Sequence, residues 1–485
     1  MNTEIRNLEP KQLWNNFADL NAVPRASKKE ERVIAFMVGF GKKLGLETAV
    51  DTVGNVIIKK AATKGMENRK TIVMQSHLDM VHQKNNDTDF DFDTQGIEMH
   101  VDNGWVKAKG TTLGADNGLG VATIMSILEA DNIEHPAIEA LFTIDEETGM
   151  TGAMGLEAGY LNGEILLNLD TEDDDEIGVG CAGGIDITAT KAYTPEKTPE
   201  NTSAYKVTVK GLQGGHSGMD IHKDFGNANK MMNRILFALQ DISLLSEIDG
   251  GSLRNAIPRE SNAIIVTNDT KTLEDEFYVI AKAIIDEYST IEEDLEIDLE
   301  ECMLPENVLS KKDTEILLKA IYTTHNGVFR MSPDIADLVE TSNNVARVLV
   351  KDGEIKVLCL TRSSVESGKM DLAYNITSGF KLAGFAVKLS GSYPGWKPNP
   401  NSPILKVLDT TYQTLFNEKP KVLACHAGLE CGILGTNYPN MDMISFGPTI
   451  RGAHSPDERA NINSTQKFWK YILQILQDIP LKNKG

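Results

Sequence analysis

The stretch from Ala140 to Met150, ALFTIDEETGM, sets Asp145, Glu146 and Glu147 directly after an apolar run. Three other apolar runs end in a similar way. TIVMQ (Thr71 to Gln75) leads through Ser76 to His77 and Asp79, and ILLNL (Ile165 to Leu169) leads to Asp170. MISF (Met443 to Phe446) leads into GPTIRGAHSPDE, which carries His454. One more carboxylate, Asp116, lies in GTTLGADNGLG, ahead of a helical pattern. His77, Asp116, Glu147, Asp170 and His454 are therefore candidate metal ligands. Imidazoles and carboxylates without thiolate suit zinc, manganese or cobalt. The set can hold two ions if one carboxylate bridges. Asp116 is the natural bridge, because its glycine neighbours let backbone approach closely. Such a pair of ions generates hydroxide and polarises a carbonyl, the chemistry of a two-metal hydrolase.

Each feature alone has an ordinary reading. Adjacent glutamates are mostly solvated, an Asp before Asn-Gly is mostly a turn residue, and a His-x-Asp pair follows from strand alternation. The agreement among the runs points to a metal centre, while the residues alone leave both readings standing.

The elements that must position these groups are strands alternating with helices, hence an α/β layer structure. In open α/β sheets ligands bind beyond the carboxyl ends of the strands, where these candidates sit. Val121, Ile124, Met125 and Leu128 share one helical face, and Ser464 could cap a helix that turns Phe468, Ile472 and Ile475 inward. Between about residues 190 and 384 the pattern changes to strand-like pieces interleaved with longer helical ones, an α+β domain. Asp170 and His454 flank it, so residues 1–189 and 385–485 are expected to form one discontinuous domain around an insertion spanning 190–384.

Composition narrows the partners. With 70 acidic against 48 basic residues the net charge is −22, which repels nucleic acid and anionic membrane. No stretch approaches the roughly 20 apolar residues of a membrane span. The start, MNTEIRNLEP, has no apolar core of a signal peptide. The five cysteines form no C-x-x-C pair, the usage expected of reduced thiols in a cytoplasmic protein. No phosphate-binding glycine loop or serine nucleophile elbow is present.

HLDM, GADNG, DEETGMTGA, NLDTE, GGHSG and GAHSPDE, in this order, resemble the motifs of the aminoacylase/carnosinase/peptidase-T family of two-zinc metallopeptidases. The resemblance runs along essentially the whole chain. It implies a zinc-exopeptidase-like catalytic domain, with a central mixed sheet flanked by helices, plus an inserted α+β lid domain. It implies one zinc on His77 and Asp170, a second on Glu147 and His454, and Asp116 bridging, with manganese or cobalt as alternatives. By the same resemblance Asp79 orients the first histidine and Glu146 is the general base. His216 in GGHSG stabilises the oxyanion from the lid. A dipeptide's carboxylate needs a cation, and Arg362 in LTRSS is the first choice, with Asn255 in LRNAIP as a polar contact. CHAGLECG resembles a segment of the substrate cleft, in which His426 and Glu430 receive no role.

The implied reaction is cytoplasmic hydrolysis of dipeptides, of Xaa-His type and broader. The resemblance also allows a homodimer. Two other readings stand beside it. An N-acyl amino acid deacylase would use the same metal motifs. A non-catalytic peptide-binding relative should lack Glu146 or several ligands, and this chain has the full set.

Overall fold

The computed structural model describes residues 2–482. It divides into two compact units. The first comprises Met1–Gly180, Pro398–Ala424 and Leu429–Gly485; the second comprises Cys181–Lys397 and Cys425–Gly428.

The first unit is built on an eight-stranded sheet. Its centre consists of Ile138–Thr143, Ile72–His77, Ile165–Asn168 and Asp442–Ser445, each paired in parallel with its neighbour. These are the four apolar runs of the sequence. Their side chains are almost entirely buried, as expected for parallel strands covered on both faces. Antiparallel strands border them, with Val56–Lys60 and Glu47–Val50 on one side and Glu176–Cys181 on the other. The sheet is therefore mixed and flanked by helices, the architecture expected.

The helix Ala115–Glu129 is buried on nearly every side. Val121, Ile124, Met125 and Leu128 are all within 2% of complete burial. In the helix Ile462–Asp478, Phe468, Ile472 and Ile475 point inward as expected. The cap is different. Asn461, not Ser464, occupies the cap position and accepts from the Ser464 N–H at 2.9 Å. Ser464 lies in the first turn, and its Oγ accepts from Thr449 N–H at 2.6 Å. A smaller four-stranded sheet, which includes Trp105–Ala108 and Arg459–Asn461, completes this unit.

The second unit is α+β. A nine-stranded sheet, antiparallel at every pairing, is packed against Ala228–Leu239, Thr270–Tyr288, Lys311–Thr323 and Glu366–Leu382. Its limits, residues 181 and 397, fall outside the expected 190 and 384. The reason is pairing: Gly183–Ala192 lies between Glu354–Ser363 and Ala386–Tyr393, so both flanking strands belong to this sheet. Among the described residues no helix is long and apolar enough to cross a membrane.

Candidate metal centre and active site

The four parallel strands end at one edge, and the candidate ligands gather there. His77 is the last residue of its strand, and Asp170 and the Asp145–Glu147 turn follow theirs closely. Nε2 of His77 lies 3.2 Å from Oδ1 of Asp116 and 3.6 Å from Oδ1 of Asp170. Nε2 of His454 lies 3.3 Å from Oδ2 of Asp116 and 2.9 Å from Oε2 of Glu147. Two triads result, His77/Asp116/Asp170 and Asp116/Glu147/His454. Within each triad the donor atoms lie within 4.8 Å of one another. Asp116 belongs to both and turns one oxygen to each.

The local backbone explains how Asp116 reaches between them. Gly114 is left-handed at φ 70°, and Asp116 and Asn117 depart from helical geometry at the head of Ala115–Glu129. A Cβ on Gly120 would collide with Asn117 Oδ1, Ser76 Oγ and the Leu169 carbonyl. The Asn117 side chain donates to the Leu169 carbonyl and to Asp170. His454 is also left-handed, at φ 62°, which is uncommon outside glycine.

Asp79 is fully buried and holds three parts of the site. Its Oδ1 faces Nδ1 of His77 at 3.4 Å and accepts from Glu146 N–H at 3.1 Å. Its Oδ2 accepts from Glu147 N–H at 3.2 Å and Ser27 Oγ at 2.7 Å. Nδ1 of His77 also lies 3.1 Å from the Asp79 carbonyl. With acceptors on both sides Nδ1 carries the proton, which leaves Nε2 free to bind a metal. Burial raises the Asp79 carboxyl, but His77 and Ser27 outweigh it and hold the group at about 2. Asp145 points elsewhere, accepting from the Thr148 and Thr151 hydroxyls, and supports the turn.

The electrostatics ask for a cation. Three carboxylates converge in a largely buried place, and burying unpaired charge is costly. Hydrogen bonds to Asp116 and Glu147 push His454 up to about 11. Burial lowers His77, but Asp170 and Asp116 carry it well above its usual value. The carboxylates thus hold protons on the imidazoles where a divalent ion would serve the same purpose. Oε1 of Glu147 is buried and has no hydrogen-bond partner among the described residues, a lone pair free for coordination. The donor set, nitrogen and oxygen only, fits zinc, manganese or cobalt. Burial pushes the Glu146 carboxyl well above the usual range, and Asp170, Glu430 and Glu147 add to this against the opposing charge of His77.

In the second unit His216 and Arg362 come together. Arg362 is 4% exposed. Its Nη1 donates to Tyr393 Oη at 2.9 Å, and its Nη2 lies 3.4 Å from His216 Nε2. Nδ1 of His216 accepts from Met219 N–H at 3.0 Å and Gly218 N–H at 3.3 Å. The neutral ring therefore carries its proton on Nε2. Burial and the charge of Arg362 lower its pKa and keep it neutral. Asn255 is exposed beside them, its carbonyl accepting from Ser217 N–H at 2.8 Å. His426 is buried against Ser342 Oγ at 2.8 Å.

Sequence reasoning left three residues of the first unit without a role. Glu430 is fully buried, and its Oε2 accepts from Gln75 Nε2 at 2.6 Å and Thr143 Oγ1 at 2.7 Å. Arg25 is fully buried and bonded to backbone carbonyls at the site. Glu458 is 2% exposed and faces the amides that precede Asp116. Glu430 had a signal in CHAGLECG and Glu458 in its place four residues after His454, whereas Arg25 sits in RASKKEE, which reads as a solvated charged stretch.

The chain is 43% identical to the cytosol non-specific dipeptidase of Escherichia coli over 490 aligned residues, covering 99% of this chain and all of that one. The crystal structure of aminoacylhistidine dipeptidase from Vibrio alginolyticus superimposes with a TM-score of 0.94 at 44% identity, over 99% of both chains. Aminopeptidase PepT from Bacillus cereus shares the fold at a TM-score of 0.57 and 15% identity, over 97% of this chain and 99% of that one. Residues 73–478 match the model of peptidase family M20/M25/M40. With that match over most of its length and a full-length relative at 43% identity, the chain belongs to peptidase family M20/M25/M40.

Proposed function

We propose that this chain is a metal-dependent cytoplasmic dipeptidase acting on Xaa-His and other dipeptides. The observation that carries the reading is the pair of triads sharing Asp116, with Glu146 beside them, in a chain similar end to end to a cytosol non-specific dipeptidase. In this proposal His77 and Asp170 hold one divalent ion, Glu147 and His454 the other, and Asp116 bridges; zinc is the first choice, with manganese or cobalt as alternatives. Bound there, the ions would supply Lewis acidity to the scissile carbonyl and lower the pKa of water.

The chain's own residues supply the rest. Glu146 takes a proton from the attacking water and delivers it to the leaving amine. Asp79 fixes the His77 tautomer and the backbone of Glu146 and Glu147. His216 donates from Nε2 to the developing oxyanion. Arg362 binds the substrate carboxylate, and Asn255 adds a polar contact. The pairing of His216 with Arg362 supports an anionic ligand there. Nε2–H and the Arg362 guanidinium are both donors at 3.4 Å, an arrangement that an oxygen accepting from both would relieve.

The full-length similarity favours a dipeptidase over an N-acyl amino acid deacylase. The test is a panel of dipeptides, Xaa-His among them, assayed beside N-acetyl amino acids after chelation and restoration of zinc, manganese or cobalt. Turnover confined to the N-acetyl substrates, or undiminished by chelation, would refute the proposal.

A further inference from the structure

Both triads depend on where Asp116 points, and the segment that carries it is held by a carboxylate outside them. Glu458 Oε2 accepts from Leu113 N–H at 2.7 Å and Gly114 N–H at 2.9 Å. Its Oε1 accepts from Ala115 N–H at 2.7 Å and Asp116 N–H at 3.2 Å. Four consecutive amides thus end on one buried side chain. Glu458 is itself anchored, since its amide donates to the Ser455 carbonyl at 3.0 Å. The strand Arg459–Asn461 follows it and pairs with Trp105–Ala108.

Arg25 grips the same segment on its carbonyl side. Nη2 donates to the Gly114 carbonyl at 2.5 Å and to Asn21 Oδ1 at 3.0 Å. Nη1 donates to the carbonyls of Leu78 at 3.0 Å and Asp79 at 3.1 Å, just beyond the strand that ends at His77. A Cβ on Gly114 or Gly118 would run into this guanidinium, so the glycines of GADNG leave it room. Three ligand-bearing segments are tied by two side chains: the end of the His77 strand, the approach to Asp116, and the loop from His454 to Glu458.

We propose that Glu458 and Arg25 form a positioning clamp that sets Asp116 between the two triads, so that both metal positions are preorganised before any ion arrives. The clamp rests on the two-metal reading of the site. A Gln at 458 has nearly the same volume but one acceptor oxygen. Its amide hydrogens would face two of the four N–H groups, and the approach to Asp116 would shift to escape them. Both ions share Asp116, so both affinities should fall, whereas a purely structural role would change stability and leave affinity intact.

The experiment is a cobalt titration of the metal-depleted full chain, followed by visible absorption and by calorimetry, for the parent protein, Glu458→Gln and Arg25→Lys. Lys keeps the charge at 25 but cannot span the separated carbonyls. Expected are two ions in the parent protein and a tenfold or greater loss of affinity at both positions in each variant. The rise in Tm on adding cobalt should shrink in parallel. Wild-type affinities for two ions in a folded Glu458→Gln protein would overturn the clamp and leave the metal reading intact. Fewer than two ions in the parent protein would overturn both. If circular dichroism shows Glu458→Gln unfolded, Glu458→Asp, whose carboxylate is one methylene too short to reach all four amides, carries the same comparison.

Discussion

Asp79→Asn should loosen the turn carrying Glu146 and Glu147 more than it loosens His77. In the parent protein the two oxygens of Asp79 serve Glu146 N–H, Glu147 N–H and Ser27 Oγ, and one also faces His77. Asn offers one oxygen. If it replaces Oδ2, the Glu146 N–H faces amide hydrogens; if it replaces Oδ1, the Glu147 N–H does, while Ser27 can turn its hydroxyl to accept. Either way one buried N–H loses its partner, at about 1–3 kcal/mol, and the surviving bonds lose their charge, at roughly 1 kcal/mol more. The sum, about 2–4 kcal/mol, speeds local opening by about 30-fold or more. Hydrogen exchange at the amides of Glu146 and Glu147 reads that change directly. The His77 tautomer should survive, because the Asp79 carbonyl still accepts from Nδ1 at 3.1 Å. Cobalt affinity should therefore fall by only about tenfold, the low end for loss of such a partner, while kcat falls further because Glu146 has moved. Parental exchange rates at the two amides, or a kcat unchanged beside a collapsed metal affinity, would refute the reasoning.

Other perturbations separate the remaining roles. Glu146→Gln should keep its full metal content by atomic absorption yet lose turnover by about 10² or more; undiminished turnover removes Glu146 as the base. Burial, with the charge of Arg362, takes His426 down to about 3. The unfolded chain then binds more protons below about 6.5, so stability is present above that pH and is lost as pH falls toward 3. At pH 5 the loss is about 2 kcal/mol, and by denaturant unfolding His426→Gln should lose less stability between pH 7 and pH 5 by about that amount; equal losses would refute it. Gly120→Ala should cost about 1–3 kcal/mol and weaken cobalt binding, since the added methyl pushes on Asn117, Ser76 and the Leu169 carbonyl. A parental Tm and affinity would mean that the loop yields freely.

Much of this molecule could be read before it was folded, and what could be read is local in kind. A parallel strand buried on both faces must be apolar along its length, so TIVMQ, ALFTI, ILLNL and MISF stood out, and the polar residues after each could belong only to an end. Glycine around Asp116 reported close backbone approach, and the structure supplies the neighbours. The cap at Asn461 was missed because Ser464 has the right chemistry three residues later, and only the position of Thr449 settles which side chain is used at the helix start. The limits of the second unit were missed because Gly183–Ala192 finds its partners nearly two hundred positions away, as the register Val387↔Ala189 shows.

What tertiary structure alone decided is the set of distances across chain segments. By itself the sequence determined which residue types stand at strand ends, and therefore which chemistry was available, because that depends on burial and spacing within a few residues. It could not show that Asp116 turns one oxygen to His77 and the other to His454. Nor could it show that Asp79, expected to orient His77, also accepts from the amides of Glu146 and Glu147, or that Arg25 and Glu458 are buried partners of the candidate ligand loops. Those contacts span 39 to 343 positions. Their energy lies in withdrawing charge from water against specific donors, a property of the packed interior that no local pattern carries.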